Sequence, residues 1–221
     1  MNPRTAISWS GGKDSYLALH RSSSAYDVVA MLTMFGEDGA RSRSHGLRPA
    51  ILEAQAERLG LPLYAGRGSW ASYESDYRQL LDDVCALGIT HVIFGDIMYA
   101  SNREFPERVC AAHGLTAVEP LWEEPTGALF REFVATGADA RIVTLRDGVV
   151  DPSWLGRRLT LHLLDDIQRA GFDPCGEHGE YHTVVLDAPL FSSPLPVTFG
   201  ERVLRSGCWA VDVEVADAVG V

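Results

Sequence analysis

The sequence predicts an α/β fold: a doubly wound parallel sheet flanked by helices, followed by a smaller C-terminal α+β domain. Short apolar runs alternate with helical periodicity between residues 5 and 145. The second run, residues 27–35, is apolar over most of its length, as is typical of a parallel strand covered on both faces. After residue 170, β-rich segments separated by proline or glycine turns replace this alternation. Alternation at this spacing implies right-handed βαβ crossovers and hence a parallel sheet.

The individual elements follow from the same periodicity. The alternating part has predicted strands at 5–9, 27–35, 61–65, 91–94, 115–118 and 140–145, and predicted helices at 15–21, 49–59, 73–87, 102–113 and 127–135. The last third has a predicted helix at 157–170 and predicted strands at 183–186, 196–204 and 208–215. A turn signature at Arg146-Asp147-Gly148 follows the last strand of the alternating part, so we expect domains of residues 1–146 and 147–221.

Length, composition and charge describe an ordinary globular chain. Its 221 residues are 46% hydrophobic and 22% charged, with a formal net charge of -11. The acidic balance disfavours extensive contact with nucleic acid. No window approaches the roughly 20 apolar residues of a membrane-spanning helix, the start has no apolar signal core, and the four cysteines form no C-x-x-C pair. These features predict a cytoplasmic protein with neither nucleic acid nor a membrane as partner, and they leave a homo-oligomer open.

A glycine loop, SGGKDS at residues 10–15, follows the first predicted strand. Ligands of open α/β sheets bind beyond the carboxyl ends of the strands, where this loop lies. Gly11 and Gly12 allow backbone N–H groups to approach phosphate oxygens, and the following helix presents its positive N-terminal dipole. Lys13 adds a cation. The loop is therefore a predicted phosphate site, and a glycine turn before a capped helix is the alternative interpretation.

The polar residues of this loop complete a predicted nucleotide site. Ser10 and Ser15 can donate hydroxyl hydrogen bonds, and we expect Asp14 to position Mg²⁺ or the loop itself. The spacing differs from that of the P-loop, which has four residues between its glycines and a Ser or Thr after lysine. SGGKDS after an N-terminal strand instead resembles the PP-loop of N-type ATP pyrophosphatases. That resemblance implies an adenine nucleotide alpha hydrolase-like fold in which ATP is cleaved between its α and β phosphates.

A second signature, CGEHGEYHT at residues 175–183, is followed by VVLDAPLF. It resembles the C-terminal motif of the diphthine-ammonia ligase family. The resemblance spans nearly the whole chain, since it also includes, in the family's order, Gly95-Asp96, residues 102–110, Pro120-Leu121-Trp122 and Trp154-Leu155-Gly156-Arg157. Members that make diphthamide usually carry Gly in place of His178 and Glu in place of His182. The chain therefore resembles a divergent, bacterial-type branch.

The resemblance implies an activity and its substrates. In members that make diphthamide, ATP adenylates the carboxylate of diphthine on a translation elongation factor, and ammonia then displaces AMP to form an amide. It thus implies an ATP-dependent amide ligase with ATP and Mg²⁺ as cofactors, ammonia as donor, and an unidentified carboxylate acceptor that is a protein side chain or a small molecule. Residues 1–146 become the PP-loop ATP-binding domain and 147–221 the substrate-binding domain. Two alternatives are a non-catalytic ATP- or AMP-binding module and a PP-loop enzyme with a different small-molecule acceptor.

The second signature also supplies candidate catalytic residues. Glu177 and Glu180 lie three residues apart among glycines, which can bring two carboxylates to one face of a loop opposite residues 10–15. Such carboxylates can hold Mg²⁺ or orient ammonia, which attacks only when unprotonated. We therefore predict catalytic roles for Lys13, Asp14, Glu177 and Glu180. The same segment contributes the predicted substrate-binding residues Gly176, Gly179 and His182.

Two further segments border the same crevice. His45 follows the second strand, and family members often have a histidine at this position, so we expect it to line the nucleotide or acceptor site. Asp96 ends the fourth strand and Arg103 lies just beyond it, and both are predicted to bind substrate. A helix cap at His45 and a turn with a surface ion pair near Asp96 are the alternatives.

Three other interpretations are weaker. Cys175, His178 and His182 form C-x-x-H-x-x-x-H, which suggests zinc, but no fourth ligand is evident nearby. Residues 66–71 match G-x-G-x-x-A, yet a dinucleotide fingerprint opens with the first strand and has its acidic residue earlier than Asp96. Transfer RNA thiolation is disfavoured by the acidic charge and the absence of paired cysteines.

Overall fold

The computed structural model of the protein describes residues 1–216. Helices and strands alternate through the first two thirds of the chain. The strands are β1 (Arg4–Ser8), β2 (Asp27–Phe35), β3 (Leu63–Arg67), β4 (His91–Ile93), β5 (Thr116–Val118), β6 (Asp139–Arg146), β7 (Tyr181–Asp187), β8 (Val197–Arg205) and β9 (Cys208–Val215). The helices are α1 (Lys13–Ser22), α2 (Pro49–Leu59), α3 (Tyr73–Cys85), α4 (Ala100–Ala111), α5 (Thr126–Ala135) and α6 (Leu161–Arg169).

The first five strands form a parallel sheet in the order β3-β2-β1-β4-β5. The predicted doubly wound α/β class is thereby confirmed. Connections run outward from β1 in one direction and from β4 in the other, so the order reverses between these two strands. Such a reversal opens a crevice at the carboxyl ends of the two strands, where ligands of open α/β sheets bind. The loops after β1 and β4 carry SGGKDS and Gly95-Asp96 respectively.

The predicted strand at 140–145 forms as β6, but its assignment to the parallel sheet is wrong. It lies in a second, antiparallel sheet with the order β7-β6-β9-β8, paired with β7 and β9. Its apolar run suits either sheet, because periodicity does not specify the partner strand. The change of sheet therefore falls between Val118 and Asp139, ahead of the boundary predicted at residue 146. The smaller C-terminal α+β unit is confirmed.

The two sheets share one core. Ile7 and Trp9 of the first unit belong to the same buried cluster as Val184, Val185 and other residues of the second sheet. Helix α1 packs against β7, and α2 packs against β9. A separate cluster on the other side of the parallel sheet packs α3 and α4. Within residues 1–216, none of the helices combines the length and apolar character required to cross a bilayer.

Candidate active site

The loop between β1 and α1 lies at the reversal of strand order, in contact with the loop after β4. A Cβ atom on Gly95 would lie 2.9 Å from backbone atoms of Asp14 and Ser15, so only glycine permits this approach. Gly11 has a φ of +86°, in the left-handed region that favours glycine. Helix α1 begins at Lys13, immediately after the glycines, so its N-terminal dipole points into the crevice.

Strand β7 and Gln55 hold the backbone of this loop in place. The N–H of Val185 donates to Gly11 O at 2.9 Å, and the N–H of Lys13 donates to the Thr183 hydroxyl at 3.1 Å. Gln55, which is fully buried, donates to both Gly11 O and Val185 O. The loop is therefore fixed by the second sheet as well as by its own strand. Among the described residues, none accepts a hydrogen bond from the N–H of Ser10 or Gly11. Ser10 lines the cavity described below, so its N–H is available to a ligand.

Lys13 is buried where the loop meets the second signature. Its ammonium group donates to Asp14 at 2.8 Å and to the carbonyl of Cys175, and it lies 5.3 Å from the centre of the Tyr181 ring. Burial alone would lower the pKa of this amine, but Asp14 and the other neighbouring acidic groups raise it above its ordinary value. Lys13 is thus a fixed cation, and it is the only lysine in the sequence.

The segment 173–180 folds into a tight loop around two carboxylates. The side chain of Asp173 accepts from the N–H groups of Cys175 and Glu177 at 2.8 and 3.1 Å. Glu180 accepts from the N–H groups of Asp173 and His178, both at 3.0 Å. These bonds satisfy the loop's own backbone and so fix its shape, while the bond from the Lys13 ammonium group to the Cys175 carbonyl joins it to residues 10–15.

The two loops enclose a cavity of about 530 Å³, a size suited to a nucleotide. Most of the predicted site residues line it: Ser10, Lys13, Asp14, Ser15, His45, Asp96, Gly176, Glu177, Gly179 and His182. The structure thus brings the two signatures together although more than 150 residues separate them in sequence.

Four predicted residues do not line this cavity. Gly11 and Gly12 lie behind its surface, and a Cβ atom on Gly12 would meet the His45 ring. The Glu180 carboxylate is buried and hydrogen-bonds the backbone of its own loop, because that loop has donors to satisfy. Arg103 pairs with Glu107 one turn away at 2.8 Å and stacks on Trp122. Direct substrate contact by Glu180 or Arg103 is therefore at odds with the structure.

Two carboxyl groups of the cavity titrate near neutral pH. Burial, reinforced by the charge of Asp14, raises the pKa of Glu177 to about 7. The same two causes raise the pKa of Asp96 to about 6. A carboxyl group with such a pKa can take up and release a proton under physiological conditions, as general acid-base catalysis requires.

Two histidines form another wall of the cavity. The rings of His45 and His182 lie with their centres 4.9 Å apart, and Nδ1 of His45 hydrogen-bonds Thr183 O at 2.7 Å. Burial lowers the pKa of His45 to about 4 and that of His182 to about 3, and the nearby Lys13 charge acts in the same direction on both. Both rings are therefore neutral at pH 7. Since a carbonyl only accepts, Nδ1 of His45 carries the hydrogen and its Nε2 is a lone-pair acceptor.

The residues of the proposed zinc motif are engaged in separate contacts. Cys175 Sγ donates to Thr126 O, His178 hydrogen-bonds the Tyr99 hydroxyl at 2.5 Å, and His182 stacks on His45. Within residues 1–216, no three His, Cys, Asp or Glu side chains converge closely enough to hold a metal ion. The glycines of the dinucleotide-like segment are tightly packed, since a Cβ atom on Gly68 would overlap the Asp76 carboxylate.

Sequence reasoning missed an aromatic wall and two polar residues. The wall comprises Trp70, Tyr73, Tyr77, Phe94 and Phe105. Gln55 lies within a helix whose periodicity marks it only as buried. Glu119 directly follows β5, at the same edge of the sheet as Asp96, and this position is the signal that could have identified it. Its side chain is 7% exposed, and burial and Asp96 raise its pKa to about 7.

Comparison with known proteins places both parts of the chain in one family. The family model of the diphthamide synthase N-terminal domain matches residues 3–117, and that of the diphthamide synthase C-terminal domain matches residues 125–217. The chain belongs to the diphthamide synthase family. The resemblance stated from the motifs is thereby confirmed. The gap between the two matches lies where the chain passes from the parallel to the antiparallel sheet.

Individual members of the diphthamide synthase family are similar over most of this chain. A diphthine-ammonia ligase of Danio rerio is 29% identical over 89% of this chain and 87% of its own length. That of Homo sapiens is 27% identical over 92% of this chain and 86% of its own length. A third, from Schizosaccharomyces pombe, is 30% identical over 89% of this chain, but the match spans only 36% of that longer protein.

A more distant likeness comes from a solved structure. A predicted subunit of tRNA methyltransferase from Methanocaldococcus jannaschii gives a TM-score of 0.43 at 12% sequence identity, over 84% of this chain and 97% of that chain.

Proposed function

We propose that this protein is an ATP-dependent amide ligase that adenylates a carboxylate and then amidates it with ammonia. The observation that carries the proposal is the cavity of about 530 Å³ in which a PP-loop and the 173–180 loop face each other. Both loops lie within the segments matched by the family models, and the relatives are named diphthine-ammonia ligases.

The loop at residues 10–15 suits the phosphates of ATP. The free N–H group of Ser10, the start of α1 and the buried Lys13 ammonium group all favour anions. Ser10 and Ser15 present hydroxyl groups 3.1 Å apart on the cavity surface. These groups suit the phosphate chain of ATP. Lys13 can stabilise the negative charge that develops as pyrophosphate leaves.

The reaction has two balanced steps. An oxygen of the acceptor carboxylate bonds to the α-phosphorus of ATP while the bond to the bridging β-phosphate oxygen breaks, which releases pyrophosphate. Ammonia then bonds to the carbonyl carbon, the bond to the AMP oxygen breaks, and a base removes one proton from nitrogen. Glu177 lines the cavity with a pKa raised to about 7 by burial and Asp14, which suits it to be this base.

Mg²⁺ fits the site only together with a nucleotide. Asp14 presents a partly exposed carboxylate beside Lys13, but among the described residues no set of three side chains can hold a cation unaided. Proteins commonly bind Mg²⁺ through one or two carboxylates and the substrate's phosphates. Asp14 would therefore hold the ion, which when bound supplies charge neutralisation for the phosphates.

The cytoplasm is the proposed compartment. Cys85, Cys110, Cys175 and Cys208 are all free thiols, as is usual in a reducing environment. Ammonia and a carboxylate acceptor are the remaining proposed substrates. The resemblance identifies departures from the diphthamide-forming members at His178 and His182, and of these two residues His182 lines the cavity.

The test is to incubate the protein with α-labelled ATP, Mg²⁺, ammonium and candidate carboxylates, including a diphthine-bearing elongation factor. We expect AMP and pyrophosphate, with a loss of at least about a hundredfold in Lys13→Ala. Arg131→Ala, which changes an exposed guanidinium hydrogen-bonded within α5, is the matched control. Formation of ADP and phosphate, or ATP binding with no turnover under any acceptor, would overturn the proposal.

A further inference from the structure

A second cavity, of about 440 Å³, lies between the loop at residues 41–47 and one face of the antiparallel sheet. Its volume is in the range of small-molecule sites. Residues from three neighbouring strands line it, among them Thr144 of β6, Val203 of β8 and Ala210 of β9. The adenylation site described above does not use this space.

The two cavities adjoin each other at His45, which lines both. A row of paired residues also connects them, since His182 pairs with Thr144, Thr144 with Ala210, and Ala210 with Val203. Neighbouring strands are about 4.8 Å apart, so the row runs roughly 14 Å from the first cavity to β8. Thr144, Ala210 and Val203 all line the second cavity. A ligand lying along this row reaches from β8 to the wall of the nucleotide cavity.

Two charged residues flank Val203 at the outer end of the row. Glu201 and Arg205 lie two positions before and after Val203 on β8, and both line the cavity. The strand register is irregular between Phe199 and Arg202, where three steps on β8 match two on β9. Bulges of this kind redirect side chains and are frequent beside binding sites. Within residues 1–216, neither Glu201 nor Arg205 forms an ion pair, so both charges are available to a ligand.

The remaining charges of the cavity are already paired. Asp212 accepts from both ends of the Arg41 guanidinium at 2.7 and 3.1 Å and also from Nε of Arg48 at 3.0 Å. These hydrogen bonds, from Arg48 first, lower the pKa of Asp212 well below its ordinary value. Arg41 and Asp212 thus form a prearranged wall, whereas Glu201 and Arg205 are the groups that can recognise a ligand.

We propose that the second cavity binds the acceptor, and that the acceptor is a free α-amino acid with a long side chain ending in a carboxylate. Glu201 receives the ammonium group and Arg205 the α-carboxylate, while the side chain crosses Ala210 and Thr144 towards His45. The distance from Val203 to Thr144 is two strand spacings, roughly 10 Å, which corresponds to a chain of about six to eight bonds. This inference rests on the proposed ligase function for the fate of the terminal carboxylate.

Binding can be measured by methyl NMR on valine- and alanine-labelled protein titrated with L-2-aminosuberate, N-acetyl-L-2-aminosuberate or suberate. We expect L-2-aminosuberate to shift the methyl signals of Val203 and Ala210, which are paired neighbours on the face that lines the cavity. Glu201→Gln and Arg205→Gln should each weaken its binding about tenfold, as loss of a charge-assisted contact does. The control is Arg202→Gln, on the same strand but outside the cavity, where the guanidinium donates to Leu155 O. It should leave the affinity unchanged.

Several results would overturn the proposed acceptor site. Equal affinity of all three variants, or shifts confined to the surroundings of Lys13, would overturn the site. If N-acetyl-L-2-aminosuberate and suberate bind as tightly as L-2-aminosuberate, the acceptor is not recognised as a free amino acid. That result would favour a protein side chain as the acceptor. ATP-pyrophosphate exchange separates the two proposals. If another acceptor supports exchange, and the exchange rate is the same in Glu201→Gln and Arg205→Gln as in the parent, only the proposed cavity is refuted. If L-2-aminosuberate binds but no acceptor leads to AMP formation, only the proposed ligase function is refuted.

Discussion

The imidazole of His45 lies directly against the α-carbon of Gly12, so that a Cβ atom added there would be 2.1 Å from Cε1 of the ring. Gly12 has a φ of -98°, which any residue adopts. The glycine is therefore required by the close approach of His45 and not by backbone strain. This contact joins the PP-loop to the segment that follows β2, and it positions the ring between the two cavities.

Gly12→Ala is expected to displace either the loop or the His45 ring. Overpacking of this kind costs about 1–3 kcal/mol of stability, and ATP affinity should fall because the loop moves. Thermal unfolding and ATP titration provide the measurements. Gly12→Ala combined with His45→Ala should recover much of both losses, since only the tight 3.1 Å approach of the added Cβ to Thr183 O then remains. Failure of the double variant to improve on Gly12→Ala would mean that the contact does not govern the loop.

Much of the fold could be predicted because its determinants are local. The apolar run at 27–35 and the helix at 49–59 form with the predicted bounds. The sheet to which β6 belongs could not be predicted, because it depends on partners distant in sequence, here β7 and β9. An apolar strand carries no local signal that distinguishes the two sheets.

The candidate site also contains parts that the sequence predicts and parts that it does not. Residues 10–15 and 175–183 are contiguous motifs, so they could be identified one at a time. Gln55 could not, because its role depends on meeting Gly11 and Val185 in three dimensions. The direction of a side chain cannot be predicted from a motif either. The motif therefore predicts catalytic roles for both Glu177 and Glu180, although only Glu177 lines the cavity.

Glu180→Gln should destabilise the protein, whereas Glu177→Gln should not. Glu180 accepts two backbone N–H groups, and glutamine would turn its amide hydrogens towards one of them. Leaving such a buried donor without an acceptor costs about 1–3 kcal/mol, which denaturant titration at pH 7 can measure. AMP formation should fall in both variants, with a stability loss only in Glu180→Gln. Equal stability of the two variants would contradict the structural role assigned to Glu180.

Stability should depend on pH through Glu177. Burial, together with Asp14, raises the folded-state pKa of this group to about 7 from an ordinary value of 4.5. Folding then favours the protonated form, so its contribution is most favourable below pH 4.5 and is lost as the pH rises through 7. Glu177→Gln lacks this loss. The melting temperature of the variant relative to the parent should therefore rise between pH 4.5 and 7 and level off above, and a difference that does not vary with pH would refute the raised pKa.

Gln55→Leu should weaken both the fold and nucleotide binding, because Gln55 joins three elements around the PP-loop. Its oxygen accepts from the Trp9 indole at 2.7 Å, and its amide nitrogen donates to Gly11 O and Val185 O at 3.0 and 2.8 Å. Leucine fills a similar volume but leaves these buried groups without partners, at about 1–3 kcal/mol for each group left unsatisfied. Since 1 kcal/mol shifts the melting temperature by about 2–4 °C in a chain of this size, the loss is measurable by calorimetry. The exposed Gln79→Leu on α3 is the control and should change neither quantity. If Gln55→Leu melts like Gln79→Leu and binds ATP normally, the loop does not depend on this contact with the second sheet.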